Sequence, residues 1–318
     1  MSINAERRYY LKLKALYYIY EKEYTNTRTA ELLGISRVTL NRLLEEARAE
    51  GMIKVTIVDT RNLRANIENE EKIKTAFGMK DVSICGGAGD PEMAGLLASA
   101  GADYAGAAIA SGMKVGIAWG RTVRSMISYM APDREIEDLD IYTLLGGVPG
   151  EAAFQPNVIA QDFISLYSGR THVINSPYLC HSERLRSEIM KEPSIKDVME
   201  TAGSLDLAIV GIGESPATEH FRNGYYHFDS KTIAELLDAG AVGDICGNFF
   251  DANGVLCRTP MSRRLVSIDP EKLKSCPDVI AVAGGEGKRD AIVGAMRAGF
   301  INRLVTDSAT AEQIIECI

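Results

Sequence analysis

The sequence predicts an α/β protein in two unequal parts: a small N-terminal helix-turn-helix domain over residues 1–58, then a doubly wound, mostly parallel α/β domain over residues 59–318. Three observations predict it. From residue 81 onward, short β-branched runs alternate with helical stretches, and several of the runs end at glycine. Before residue 50, a turn glycine and helix-capping hydroxyls separate two apolar-periodic segments. The charge also changes sign between the parts: residues 1–54 carry ten Lys/Arg against seven Asp/Glu, whereas the remainder carries 25 against 36.

Taken in order, residues 6–21 place Leu11, Leu13, Leu16, Ile19 and Tyr20 among Arg7, Arg8, Lys12, Lys14 and Lys22, the pattern of a helix with an apolar stripe. Thr25 or Thr27 then caps a short helix carrying Ala30, Leu32 and Leu33, and Gly34 supplies the left-handed turn. Ser36 caps a third helix whose apolar positions are Val38, Leu40, Leu43, Leu44 and Ala47, with Ile35, Val38 and Leu43 expected to pack inward. Met52 to Val58 alternates as a short strand, a candidate wing. Residues 59–80 suggest a connecting helix. The predicted strands of the second part are Val82 to Ile84, Val115 to Ala118, Ile141 to Leu145, Leu207 to Val210, Val279 to Val282 and Leu304 to Val305.

Composition excludes several classes. With 46% hydrophobic and 25% charged residues the chain can bury a core, which rules out a disordered protein. The net charge of -8 excludes a basic surface over the whole chain, although not a local basic face. The six cysteines, Cys85, Cys180, Cys246, Cys257, Cys276 and Cys317, form no C-x-x-C pair, and Met1 to Arg8 lacks the features of a signal peptide. No run reaches the roughly 18 apolar residues of a membrane span. A reduced, cytoplasmic protein without metal or cofactor is expected.

The segment from Thr27 to Leu44 has the layout of a helix-turn-helix, in which small Ala30 allows close helix approach. Ser36, Arg37, Thr39 and Asn41 lie at the start of its second helix, where such helices present polar groups to the major groove, and Arg42 follows one turn on. Arg and Asn carry the forked donors and acceptors that read guanine and adenine edges, while Ser and Thr more often hold phosphates. A helical hairpin used only for dimerisation is the plainer alternative.

Three glycine-marked strand ends could bind a small molecule. At Gly120-Arg121-Thr122 a strand breaks into a helix whose first N–H groups, with the Thr122 hydroxyl and the Arg121 cation, suit a phosphate or carboxylate; a tight turn capped by Thr122 explains the pattern equally. Gly146-Gly147 is followed by Gln155 and Asn157, neutral amides that can bind hydroxyls or merely cap helices. Ala283-Gly284-Gly285-Glu286-Gly287-Lys288 is P-loop-like, but Val282 stands where the first glycine should be and Arg289 replaces the magnesium-binding Ser/Thr, which disfavours ATP hydrolysis. Lys288 remains a partner for an anion, or a solvated lysine. Gly86-Gly87-Ala88-Gly89 lacks dinucleotide-binding spacing. His172, His181, His220 and His227 have no metal-ligand spacing, and there is no G-x-S-x-G elbow. Asp244 is either a turn residue or a hydroxyl acceptor for a polyol, and Asp251 reads as a turn residue.

Leu32-Leu33-Gly34-Ile35-Ser36-Arg37 with Leu43-Leu44, the run Val115 to Thr122, Ile209-Val210-Gly211-Ile212-Gly213, Ala241 to Cys246 with Phe249 to Gly254, and Val282 to Lys288 occur in an order that resembles the SorC family of bacterial sugar-binding transcriptional regulators. The resemblance spans essentially the whole chain. It implies an N-terminal winged helix-turn-helix, an effector domain similar to sugar-phosphate isomerases and glucosamine-6-phosphate deaminase, and assembly into dimers or tetramers. It also implies a phosphorylated sugar or polyol effector that alters operator affinity. By that resemblance Gly120, Arg121 and Thr122 form the phosphate-binding turn, Gln155 and Asp244 contact sugar hydroxyls beside Gly147, and Lys288 contacts an anion. One position departs: the residue before Gly146 is basic in some members but is Leu145 here, which favours a monophosphate over a bisphosphate. The competing expectation is a sugar-phosphate isomerase or deaminase with a DNA-binding appendage, kept open by Glu214 after Gly213; a third is a helical interaction module on a structural domain.

Overall fold

Short runs of Val, Ile and Leu flanked by glycine and polar turns become buried parallel strands in the computed structural model, which describes residues 3–53, 63–86, 92–148, 154–222, 228–285 and 287–318, the side chains of 3, 4, 202, 220 and 222 excepted. The predicted wing strand after residue 53, the run Gly87-Ala88-Gly89, Glu286, His227 and the side chain of His220 lie outside the described residues. The chain divides into two compact units, Met1–Thr60 and Arg61–Ile318.

The first unit contains α1 (Ile3–Leu16), a π-helical turn (Tyr17–Glu21), α2 (Asn26–Leu33) and α3 (Arg37–Ala49). Thr25, rather than Thr27, caps α2 by accepting from the Arg28 N–H. The chain leaves α2 through Gly34 at φ 64°, and Ser36 caps α3 by accepting from the Thr39 N–H at 3.1 Å. Ala15, Leu16, Ala30, Leu40, Leu44 and Ala47 form the core, with Ile35, Met52 and Ile53 packed at its edge. Three expectations are corrected. Val38 does not pack inward: it is 79% exposed, because the buried face of α3 is Leu40, Leu43, Leu44 and Ala47 and a residue two before Leu40 points away from it. Leu13 and Tyr20 are exposed rather than part of the buried stripe. Lys12 is buried at 4% exposure, its stem packed and its ammonium paired with Glu50.

The second unit opens with α4 (Arg64–Phe77), then β1 (Asp81–Cys85), α5 (Met93–Ala108), β2 (Lys114–Ile117), α6 (Arg121–Tyr129), β3 (Leu139–Thr143), α7 (Pro156–Ile164), β4 (Gly169–His172), α8 (Glu183–Ile189), α9 (Pro193–Thr201) and β5 (Leu207–Val210). It continues through α10 (Glu219–Arg222), α11 (Ser230–Asp238), the antiparallel pair β6 (Gly243–Ile245) and β7 (Asn248–Phe250), α12 (Pro270–Leu273), β8 (Asp278–Val282), α13 (Arg289–Ala298), β9 (Arg303–Asp307) and α14 (Ser308–Ile315). Seven strands pair in the order β1-β9-β8-β5-β2-β3-β4, every pairing parallel. This is the α/β architecture the sequence predicts. β4 and the β6–β7 hairpin were not among the predicted strands, and β3 begins two residues earlier and ends two earlier than the run Ile141 to Leu145.

The strand order positions the site. From β2 the chain proceeds outward to β3 and β4, then crosses back to β5 on the other side of β2 and proceeds outward to β8 and β9. β2 and β5 are therefore neighbours whose onward connections diverge, and the crevice beyond their carboxyl ends is where open α/β sheets bind ligands. No helix among the described residues is long and apolar enough to cross a membrane.

Candidate functional site

In the first unit, the exposed surface of α2 and α3 collects every helix-turn-helix residue the sequence singles out. Thr27, Ser36, Arg37, Asn41 and Arg42 are exposed, and Thr39 is half-buried. Several have local structural duties: Ser36 and Thr39 hydroxyls lie 2.9 Å apart at the cap, and Asn41 accepts a long 3.4 Å bond from the Asn26 amide. Arg42 stands 3.8 Å from Glu46, but Glu46 accepts from Nε and Nη2 of Arg8, at 2.9 and 2.6 Å. That Arg8 hydrogen bonding holds the Glu46 carboxyl below its ordinary range. Glu46 of α3 and Glu50 just after it are thus both paired with α1, through Arg8 and Lys12, while Arg37 and Arg42 near the N-terminal end of α3 are exposed.

In the second unit, residues from the ends of β2, β5 and β8 and from the β6–β7 hairpin lie at the β2/β5 crevice. After β2, Gly120 begins α6 at φ 121°, and no side chain caps that helix. The N-cap of α6 is thus Gly120, and Thr122 lies inside the first turn rather than at the capping position. Arg121, beside it, is exposed. After β5, Glu214 is 9% exposed. After β8, Lys288 donates to the Ile212 carbonyl at 2.7 Å, which ties the two strand ends together. Burial lowers the Lys288 ammonium pKa, and nearby Arg121 acts in the same direction; Glu214 and Asp244 oppose the shift. Arg121, Asp244 and Glu214 therefore all lie within electrostatic reach of Lys288.

Asp244 reaches this cluster from the β6–β7 hairpin. It is 2% exposed, its Oδ2 accepts from the Gly247 N–H at 2.8 Å, and its backbone bridges to Gly213. It therefore closes the hairpin turn, one of the two roles the sequence left open, and also places negative charge near Lys288.

Beyond β3 a cavity of about 180 Å³ is lined by Thr143, Leu145, Gly147, Gln155, Asn157 and Ser176, among others. Gln155 points its amide at the Val148 carbonyl, and Leu145 is an apolar wall at the position where a basic residue was the alternative. Tyr178 joins cavity and crevice. Its N–H donates to the Gly147 carbonyl at 2.9 Å, and burial, reinforced by the Asp244 charge, pushes its phenol pKa well up. Sequence reasoning did not single out Tyr178, since nothing in Ser176-Pro177-Tyr178 marks it before the fold brings it to Asp244.

The glycines before Lys288 are held by a residue that was also missed. The Gly285 N–H donates to Asp307 Oδ2 at 2.7 Å and to Thr310 Oγ1 at 2.9 Å. Asp307 in turn caps α14 through the Thr310 N–H, a motif that Asp307-Ser308-Ala309-Thr310 does display in sequence. Asp251 is a turn residue as expected, accepting from the Asn253 and Val255 N–H groups. No His/Cys/Asp/Glu cluster suited to a metal ion occurs among the described residues.

The sugar-binding domain family model, "Sugar-bind", matches residues 61–316. The sorbitol operon regulator of Klebsiella pneumoniae is 31% identical over 99% of this chain and 100% of its own length. The deoxyribonucleoside regulator of Bacillus subtilis is 26% identical, covering 96% of this chain and 97% of that protein. The crystal structure of the full-length sorbitol operon regulator SorC from Klebsiella pneumoniae superposes with a TM-score of 0.74, at 28% identity, covering 96% of this chain and 98% of that one. With a helix-turn-helix pair in one unit, a polar crevice at the switch point of the other and relatives that are regulators rather than enzymes, the chain belongs to the SorC family of sugar-binding transcriptional regulators.

Proposed function

We propose that the protein regulates a carbohydrate or polyol catabolic operon from the cytoplasm, that residues 1–58 contact operator DNA, and that residues 59–318 bind a phosphorylated sugar or polyol and assemble the chain into a dimer or tetramer. The observation that carries this reading is the meeting of two cations, Arg121 and Lys288, with the carboxylates of Asp244 and Glu214 beyond β2 and β5. The cations and the α6 N-terminus suit one anionic group; the carboxylates and the Gln155 amide suit hydroxyls. Gly120, Arg121, Thr122 and Lys288 hold the phosphate, while Gly147, Gln155 and Asp244 line the polyol. The relatives named for sorbitol and deoxyribonucleosides support an effector of this class. Effector binding then favours one arrangement of the oligomer and changes the spacing of its helix-turn-helix pairs.

Leu145 offers the cavity no charge for a second phosphate. Titration of the full chain with a panel of sugar and polyol monophosphates and their bisphosphates, followed by calorimetry, is expected to show tighter monophosphate binding; tighter bisphosphate binding sinks this assignment. On the DNA side, Arg37→Ala or Arg42→Ala is expected to weaken binding to a selected operator by roughly 1 to 3 kcal/mol where the side chain reads a base, with relaxed sequence preference. Unchanged affinity and preference in both variants would remove α3 as the reading helix.

A further inference from the structure

Val38 is a β-branched residue in the first turn of α3, and it is the most exposed large apolar side chain among the described residues, at 79%. Neither helix propensity nor burial accounts for valine there. Its neighbours on the helix surface do. Residues three and four apart share a face, so Val38, Asn41 and Arg42 form one outward ridge, opposite the buried ridge of Leu40, Leu43, Leu44 and Ala47. The groups around Val38 are tied down: Ser36 and Thr39 are bound to each other at the cap, and Asn41 is bridged to Asn26 of the preceding helix. The ridge is thus rigid and mostly polar, with one branched apolar group near its tip.

A recognition helix enters the major groove by its N-terminal residues, and the one apolar feature the groove presents is the C5 methyl of thymine. We propose that Val38 is a specificity-determining residue that packs its methyls against a thymine methyl in each operator half-site, next to the base edges reached by Arg37, Asn41 and Arg42. The inference rests on α3 being the reading helix. It adds a preference for thymine over cytosine and over uracil at one position, set by an apolar contact rather than by a hydrogen bond.

The test uses the full chain and a duplex enriched by it from random DNA. Each thymine is replaced singly by deoxyuridine, which removes only the methyl, and affinity is measured by fluorescence anisotropy at fixed salt. One position per half-site is expected to weaken wild-type binding about fourfold, the size of one buried methyl. Val38→Ala, which raises helix propensity at an exposed site, is expected to bind the unmodified duplex about fourfold more weakly and to lose its sensitivity to deoxyuridine at that position alone. Wild-type binding that is indifferent to every deoxyuridine, or a Val38→Ala variant that keeps the same sensitivity, overturns the assignment of Val38 and leaves α3 as the reading helix. Failure to enrich any duplex overturns the DNA-reading role of α3, and the Val38 contact with it.

Discussion

Lys288→Met is expected to abolish the effector response while leaving effector-free operator binding at its wild-type level. The ammonium sits in a desolvated crevice, bonded to the Ile212 carbonyl and facing Asp244 and Glu214. Removing one partner of a buried, hydrogen-bonded charge pair costs about 2 to 5 kcal/mol, so effector affinity falls at least about thirtyfold. The same geometry gives a pH dependence with a definite sign. Because burial holds Lys288 below the ordinary lysine value of 10.5, raising the pH neutralises it earlier than an exposed lysine, and anion affinity is lost on the alkaline side. Wild-type affinity for a sugar monophosphate should therefore drop as pH rises toward that ordinary value, and the Lys288→Met variant should lack this drop. A variant that still responds to effector at wild-type concentrations would reduce Lys288 to a strut between β5 and β8.

Of the strands carrying this site, β2, β5 and β8 could be read from sequence because each is nearly all buried and is followed within three residues by a glycine. Leu207–Val210 and Asp278–Val282 are almost entirely buried, which leaves an uninterrupted apolar run and no ambiguity of period. β4 is different: Gly169–His172 is a half-exposed edge strand of polar residues, and its His172 is occupied by Asp140 at 2.8 Å and by stacking on Tyr142. The β6–β7 hairpin escaped because its strands are three residues long and its turn, Cys246-Gly247, places a buried cysteine at φ 53° where an Asn or Asp is the usual signal. In the first unit the apolar character of Val38 suggested an inward position, but its place in the helical period put it outside.

The candidate site shows the same division. Gly120, Arg121 and Thr122 are contiguous and sit at a strand-to-helix junction, so their grouping was visible before any fold was known. Asp244 and Lys288 became members of one cluster only when β6 was bridged to Gly213 and Lys288 reached back to Ile212. Long-range pairings of this kind leave no local pattern, and for that reason Tyr178 and Asp307 could not be picked out as partners of Asp244 and of the Gly284-Gly285 turn.

The bridge itself sets the second large expected effect, Gly213→Ala. An added Cβ at Gly213 would lie 1.7 Å from Asp244 Oδ1 and 2.7 Å from its Cγ, distances that cannot be relieved by rotating a flexible chain end, because Asp244 is buried and fastened to the Gly247 N–H. The hairpin must move off β5, breaking the Gly213 N–H bond to the Asp244 carbonyl at 2.9 Å and withdrawing the carboxylate from Lys288. Overpacking of a tight site typically costs about 1 to 3 kcal/mol, and the lost bridge and displaced charge add to that, so a drop in the thermal midpoint of several degrees is expected together with loss of effector binding. Gly120→Ala separates the two consequences. There the added methyl meets nothing within 4 Å, but φ 121° is a conformation an L side chain rarely adopts, so the cost is backbone strain of about 1 to 3 kcal/mol confined to the start of α6. If Gly213→Ala proves as stable as wild type while Gly120→Ala does not, the close contact between β5 and the hairpin is not what holds Asp244 in the crevice. If Gly213→Ala is destabilised yet binds effector normally, Asp244 serves the turn alone and the hydroxyl contacts come from the Gln155 side of the cavity.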